Sequence, residues 1–358
     1  MFPFYALFAV WALGAIQFSA VRVQKLEGIL FSVAILGTVI MMGLRYEVGG
    51  DWESYLATYE ALYFQPLSYA LTYTDPAYGL INWLAIQLDA GIWLVNLICA
   101  AVFVWGVSAL ARQQRNAWLA FTVATPYLLI VVGMGYTRQA AAIGVICWAI
   151  ARAPRSSIQA ILFGVFVAAL FHKTAILFLP VLLAPMLTRK PVYAAIGIAF
   201  WIILASALIG STSDRLVTNY VNSDYQSSGA AIRIGMNVVA AIVFLVFRSR
   251  YQMDRYTEKL WTYCSYLSLV CVVGLVTTSS SVGVDRLALF LIPLQMVVFS
   301  DFPYALSKKQ NPERSLFMAV LLYSFSVQYV YFTYASFSWA WVPYQNVIFS
   351  DTTVQRLP

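Results

Sequence analysis

Residues 92–111 read IWLVNLICAAVFVWGVSALA, residues 112–116 read RQQRN, and residues 117–134 read AWLAFTVATPYLLIVVGM. Each apolar run is close to the ~20 residues that a helix needs to cross a bilayer core. The turn between them holds Arg112 and Arg115, the kind of short basic connection that collects on the cytoplasmic side of a membrane. This pattern of apolar run, charged break and apolar run continues in both directions. Over the whole chain 61% of residues are apolar and 10% charged, with a mean hydropathy of +0.76. Soluble domains carry about 45–50% apolar and about 25% charged residues. No compact globule of 358 residues has the interior to hide so much apolar surface, so the solvent is lipid. The sequence predicts an all-α, polytopic integral membrane protein.

The apolar runs place spans at 3–21, 28–44, 92–111, 117–134, 137–151, 157–171, 173–188, 192–210, 232–248, 260–277, 286–301 and 315–335, about 12 in all. The run at 77–88 is too short to cross comfortably and reads as re-entrant or interfacial. No Lys or Arg precedes Arg22, so the first run lacks the basic start of a signal peptide and is read as a retained helix. Residues 1–358 form a single transmembrane domain without an internal repeat.

Charge sets the orientation. With 77–88 non-spanning and the N-terminus outside, the inner connections hold 15 of the 22 basic residues and 5 of the 15 acidic ones, a net +10. The outer face carries the other 7 basic and 10 acidic residues, a net −3. That is the positive-inside pattern; letting 77–88 span would reverse every later loop and break it. The overall charge of +7 is thereby accounted for without nucleic acid as a partner. The 4 cysteines lie within apolar runs without zinc-ligand spacing, and the chain has a single histidine, so neither a disulfide framework nor a His-rich metal centre is expected. No G-x-x-x-x-G-K-[ST] motif occurs, and no cofactor is implied.

Three outer segments are long enough to carry function: 45–76, 211–231 and 336–358. The first contains DWESYLATYEALY, where Trp52, Leu56, Tyr59 and Tyr63 share a face and suggest a helix lying at headgroup depth. The second is polar and rich in Ser, Asn, Asp and Tyr, including Tyr220. The segments 45–76 and 211–231 are expected to line the site.

Ionisable residues collect at the outer ends of the spans: Arg45, Asp51, Arg138 beside Gln139, His172 beside Lys173, Arg233, and Asp285 beside Arg286. Each has an ordinary reading. Arg45 can snorkel from a helix end, Asp51 can balance Arg45, and His172 can be merely interfacial. Asp285 and Arg286 can pair locally, and tyrosines and tryptophans are commonly belt anchors. Charges near spans are costly, however, and generally face a cavity or a partner. Several arginines at one outer cavity call for an anion, and guanidinium grips phosphate oxygens bidentately. A phosphate-bearing substrate on that face suggests a lipid-linked pyrophosphate, and the neighbouring Tyr, Asn and Asp residues suit sugar hydroxyls. Glycan transfer follows as the expectation.

The same residues carry a resemblance. Arg45-Tyr46-Glu47-Val48-Gly49-Gly50-Asp51-Trp52-x-x-Tyr55, then Asp75-Pro76-x-Tyr78, Arg138-Gln139, Phe171-His172-Lys173-Thr174-Ala175 and Trp341-x-Pro343-Tyr344 resemble, in order, the EpsG family of Wzy-like exopolysaccharide and O-antigen polymerases. The resemblance covers roughly 40–345; Gly50 and Trp52 depart from the residues common at their positions. It implies a bacterial inner-membrane, GT-C-like glycosyltransferase. Such an enzyme moves a growing chain from undecaprenyl pyrophosphate to the non-reducing end of another lipid-linked repeat, on the periplasmic face. Besides membrane lipid, this plan admits a chain-length regulator and a flippase as partners.

The mechanistic expectation is a single displacement with inversion. Arg45, Arg138, Arg233 and Arg286 hold the pyrophosphate. Asp51, or as second choice His172, acts as the base. Tyr55, Tyr78, Gln139, Asp285 and Tyr220 meet the glycan, and no metal is needed. A lipid-linked oligosaccharide flippase is the main rival, although the mid-span positions are nearly charge-free. An O-antigen ligase would share the cavity. An O-acyltransferase would use His172 but lacks H-x-x-x-x-D, since Leu177 stands at the acid position. An intramembrane serine protease built on Gly106-Val107-Ser108-Ala109 is discarded, because Ser108 and His172 fall at opposite faces.

Overall fold

A computed structural model of the protein describes residues 1–18, 24–187, 229–277, 282–307 and 311–349. The expected span 192–210, Tyr220 and most of the 211–231 loop lie outside the described residues. The architecture is helical. Helices α1 (Phe2–Gln17) and α2 (Gln24–Gly43) lead to a two-residue strand β1 (Arg45–Tyr46). Three short helices follow: α3 (Trp52–Glu60), α4 (Leu67–Tyr73) and α5 (Pro76–Gln87). The central helices are α6 (Gly91–Ala111), α7 (Ala117–Gly135) and α8 (Thr137–Arg152). Next come α9 (Ile158–Phe171), a 3-10 turn at Lys173–Phe178 and α10 (Leu179–Leu187). The last part contains α11 (Ala230–Phe247), α12 (Arg255–Thr277), α13 (Val282–Leu289), α14 (Pro293–Ala305), α15 (Arg314–Tyr334) and strand β2 (Gln345–Asn346).

Six of the described helices are long and apolar enough to cross a membrane: Lys25–Gly43, Gly91–Ala111, Ala117–Gly135, Ala230–Arg250, Arg255–Thr277 and Arg314–Tyr334. The pair Gly283–Leu289 and Pro293–Ala305, bent by 41°, brings the number to seven when counted as one broken span. Of the about 12 spans expected from the sequence, the described residues thus show six at full membrane length, or seven with the bent pair. Runs 3–21, 137–151 and 157–171 do form helices, but of 16, 16 and 14 residues. The 173–188 run starts with a 3-10 turn. Local backbone chemistry ends these helices early. His172 closes α9 in an extended conformation (φ −156°, ψ 110°). Pro293, without an N–H to donate, opens a new helix after a turn.

Helix α7 is the axis of the bundle, with 94% of its apolar window buried among α1, α6, α14 and α15. Pro126 removes one backbone donor near its middle, and the winding widens into a π-helix over Thr125–Val132. The most extensive helix pair is α6 with α8. There Gly106 lies against the Gly144 carbonyl so closely that a Cβ on Gly106 would overlap it. Small residues permit this backbone-to-backbone approach.

Helix α5, at 12 residues, is not a spanning candidate, in line with the reading of 77–88. Helix α3 does differ from expectation. Its buried face is Trp52, Tyr55 and Tyr59, while Tyr63 falls past the helix end and is 41% exposed. The aromatics turn inward because protein aromatics await them. Tyr46 and Trp93 surround Trp52 at 5.9 and 6.3 Å between ring centroids, and Tyr78 meets Tyr55 at 5.8 Å.

Candidate functional site

The loop after α2 is fixed first. Strand β1 pairs antiparallel with β2, placing Arg45 opposite Asn346 and Tyr46 opposite Gln345. Arg45 is only 1% exposed, and its guanidinium donates to the carbonyls of Met42 (2.6 Å) and Val48 (3.1 Å), to Thr137 Oγ1 (2.7 Å) and to Asn96 Oδ1 (3.2 Å). It therefore ties the loop to α6 and α8 with donors already spent on protein acceptors. Gly49 has φ +111°, and a Cβ there would run into the Met134 carbonyl oxygen. Its N–H donates to the Ala340 carbonyl at 2.8 Å. The Trp341 indole donates to Ile130 O in the π-helical stretch at 3.1 Å, and Tyr344 donates to Met41 O at 2.8 Å. The late Trp341-x-Pro343-Tyr344 motif thus serves as a buttress for the early one.

Arg138, the second residue of α8, reaches toward the turn before α5. Its Nη1 donates to Thr74 Oγ1 and to Asp75 Oδ2, both at 3.0 Å, and 34% of the side chain stays exposed. The guanidinium lies 5.7 Å from the centroid of the Tyr78 ring and 5.9 Å from that of Tyr55. Tyr78 is fully buried and Tyr55 nearly so, which makes them a floor beneath the cation. Asp75 also accepts the Lys173 backbone N–H at 3.2 Å and faces His172 Nδ1 at 3.5 Å. Burial would raise the Asp75 carboxyl, but His172, Arg138 and the Lys173 amide outweigh it and hold the group below its ordinary value. Burial lowers the pKa of His172, with Arg138 and Arg286 adding to the effect and Asp75 opposing it. Neither of its nitrogens has a hydrogen bond among the described residues.

Asp51 precedes α3 and is half-buried, with no side-chain hydrogen bond or ion pair among the described residues. Burial raises its pKa, while the nearby charges of Arg286 and Arg138 oppose the rise. Arg286 is held by a reciprocal clamp with Gln139. Gln139 Nε2 donates to the Arg286 carbonyl at 2.7 Å, and Arg286 Nη1 approaches Gln139 Oε1 at 3.4 Å. The Arg286 guanidinium sits 4.7 Å over the Tyr136 ring. Arg233 is engaged elsewhere: Asp285 grips it bidentately at 2.6 and 2.7 Å, and it donates to Tyr127 OH at 3.1 Å.

The structure thus gathers Asp51, Tyr55, Tyr78, Arg138, Gln139, His172 and Arg286 around one end of the bundle. It places Arg45 behind that group as a strut. Arg233 and Asp285 pair with each other beside Tyr127. Three participants had no role assigned from the sequence: Asp75, Thr74 and Tyr136. Asp75 stood in a motif, and a carboxylate ahead of a proline between short helices was a usable signal. The tyrosine beneath Arg286 had none, because its contact spans 150 positions of chain.

Chemically, the cluster offers two arginines on aromatic floors, an ionisable carboxylate without a hydrogen bond or ion pair among the described residues, and an imidazole. Among the described residues no three His, Cys, Asp or Glu side chains converge as metal ligands. A fold of membrane-length helices with arginines, a carboxylate and an imidazole gathered at one end defines a polytopic membrane protein. The chain belongs to the EpsG family, whose sequence profile matches residues 28–346, and that family points to polysaccharide polymerisation. No curated protein and no solved structure matches the chain.

Proposed function

We propose that the protein is a polysaccharide polymerase that transfers a glycan from undecaprenyl pyrophosphate to a second lipid-linked repeat. It would work at the periplasmic face of a bacterial inner membrane, with a GT-C-like plan in which the shorter helices complete the crossings. The observation that carries this reading is the Asp51 carboxylate, unpaired among the described residues and within the electrostatic reach of Arg286 and Arg138. The acceptor hydroxyl oxygen bonds to the anomeric carbon of the donor while the bond from that carbon to the pyrophosphate oxygen breaks, inverting the centre. Asp51 takes the hydroxyl proton. Arg138 and Arg286 hold the departing pyrophosphate, where charge develops and fixed positive groups contribute most. Arg45 acts as a positioning residue for the loop that carries Asp51. His172 is the second candidate for the base, and Tyr55 is read as a residue that meets the sugars. A chain-length regulator and a flippase are the protein partners this activity calls for.

The test is polymer formation by purified protein from purified lipid-linked repeats, with EDTA present. A ladder of lengthened lipid-linked glycans is expected. Arg138→Ala should lose about 100- to 1000-fold in rate, the usual cost of removing one such stabilising group, while remaining in the membrane. Wild-type ladders from that variant would overturn the assignment of Arg138. Transbilayer movement of the lipid-linked sugar without a ladder would overturn the polymerase reading in favour of a flippase.

A further inference from the structure

A second basic cavity lies at the end of the bundle opposite the Asp51 site, where three candidate spans terminate. Lys25–Gly43 begins there, Gly91–Ala111 ends there, and Ala117–Gly135 begins there. Those termini set the cavity at headgroup depth. It encloses about 520 Å³ and is lined by Phe31, Glu27, Arg112, Gln114, Arg115 and Gly28 among others. Arg112 lies 4.7 Å over the Phe31 ring, and Arg115 lies 6.0 Å from the Tyr304 ring. Neither guanidinium has a hydrogen bond or an ion pair among the described residues, although the Arg115 backbone N–H donates to Asp301. Glu27 lines the same cavity and Asp301 stands next to Arg115, yet among the described residues neither forms an ion pair with the two guanidinium groups, whose N–H donors remain open to an anion.

Gly28 also belongs to an apolar groove along α2, lined by Lys25, Ile29, Ser32, Val33 and Leu36. Ile29, Val33 and Leu36 are 54%, 60% and 58% exposed. From Lys25 to Leu36 the helix rises roughly 16 Å at about 1.5 Å per residue, the depth of one leaflet's hydrocarbon. Nothing lies within 4 Å of where a Gly28 Cβ would stand, so the cavity and the groove meet over an open glycine.

We propose that this cavity and groove bind one anionic phospholipid with a hydroxylated headgroup, of the phosphatidylglycerol type. Arg112 and Arg115 take the phosphate, Glu27 and Gln114 accept from and donate to the headgroup hydroxyls, and an acyl chain lies along Ile29, Val33 and Leu36. Basic pockets between helix ends hold such headgroups, each Lys or Arg contributing about 1 kcal/mol.

The experiment uses the full chain in neutral-lipid nanodiscs, titrated with phosphatidylglycerol, phosphatidylcholine or inorganic phosphate, and followed by native mass spectrometry and thermal melting. Phosphatidylglycerol should remain as a single adduct and raise Tm, while phosphatidylcholine and phosphate alone should do neither. Arg112→Gln with Arg115→Gln should weaken retention about thirtyfold, as expected for two basic groups. Gly28→Leu should also expel the lipid without altering charge, which keeps the test decisive if the arginine variant fails to fold. Arg248→Gln with Arg250→Gln, exposed and not part of the cavity or groove lining, should retain it. Equal retention of phosphatidylcholine, an unchanged adduct in Gly28→Leu, or loss in the Arg248/Arg250 variant would overturn the proposal. An effect of phosphate equal to that of the lipid would replace it with a simple anion site.

Discussion

Asp51 and Asp75 are two carboxylates in the same field of arginines, and their surroundings push them in opposite directions. Asp75 is held below its ordinary value, so its charge stabilises the fold above the unfolded carboxylate pKa of about 3.9. Asp75→Asn should therefore melt lower than wild type at neutral pH, and the difference should shrink as pH falls through the depressed folded value. Asp51 is raised by burial, so above that value its charge costs stability. Asp51→Asn should melt higher than wild type at pH 7 while losing polymer formation. The activity of the wild type should fall on acidification at a pH above the ordinary carboxylate range, as a base that must be ionised requires. Thermal melts of both variants at pH 7 and about pH 3, with ladders alongside, check all of this. A lower melting point for Asp51→Asn at pH 7 would contradict the burial argument. Both acids were legible as motif members, but the sequence ranked only Asp51, because which acid keeps a free carboxylate depends on neighbours such as Lys173 and Arg138.

At the scale of elements, the site rests on the contact between α6 and α8. Asn96 on the first and Thr137 on the second both accept from Arg45, and Arg138 leaves the start of the second. A side chain at Gly106 wedges the two helices apart at their closest approach. Gly106→Val should cost about 1–3 kcal/mol, as overpacking does, seen as a lower Tm. Polymer formation should fall as well, although residue 106 lies far from the cluster. A variant with wild-type melting would mean that α6 and α8 separate more readily than this packing allows. The broken span has its own support: Asn237 on α11 donates to the Ala288 carbonyl just before the break and accepts from Gln295 just after it. Periodicity and hydropathy placed these helices correctly as apolar segments. They could not place the interruptions, which arise from single residues such as His172 and Pro293 and from polar partners on other helices.

For the molecule as a whole, the two ends differ in chemistry. One holds the motif residues, and the other holds Arg112, Arg115, Asn116 and their contacts, including Asn116 Nδ2 donating to Ala15 O. The orientation argued from charge can be tested with an impermeant maleimide, because Cys99, Cys147, Cys264 and Cys271 are all buried and should be silent. Glu53→Cys should label in cells with a permeabilised outer envelope, and Arg250→Cys only after the inner membrane is opened. The reverse pattern would turn the protein over and move the site to the cytoplasmic face.

By itself the sequence determined the solvent, the helical class and the family, because these rest on sums and orders: apolar content, run length, the side on which Lys and Arg accumulate, and an ordered set of short motifs. The tertiary structure alone decided which arginines remain available. Arg45, Arg138, Arg233 and Arg286 are alike as letters. Yet Arg45 is consumed by acceptors up to 92 positions away, Arg233 by Asp285 at a separation of 52, and Arg138 keeps a third of its side chain exposed. A guanidinium binds a substrate only with donors that the protein has not already satisfied, and that balance is set by neighbours brought together in space.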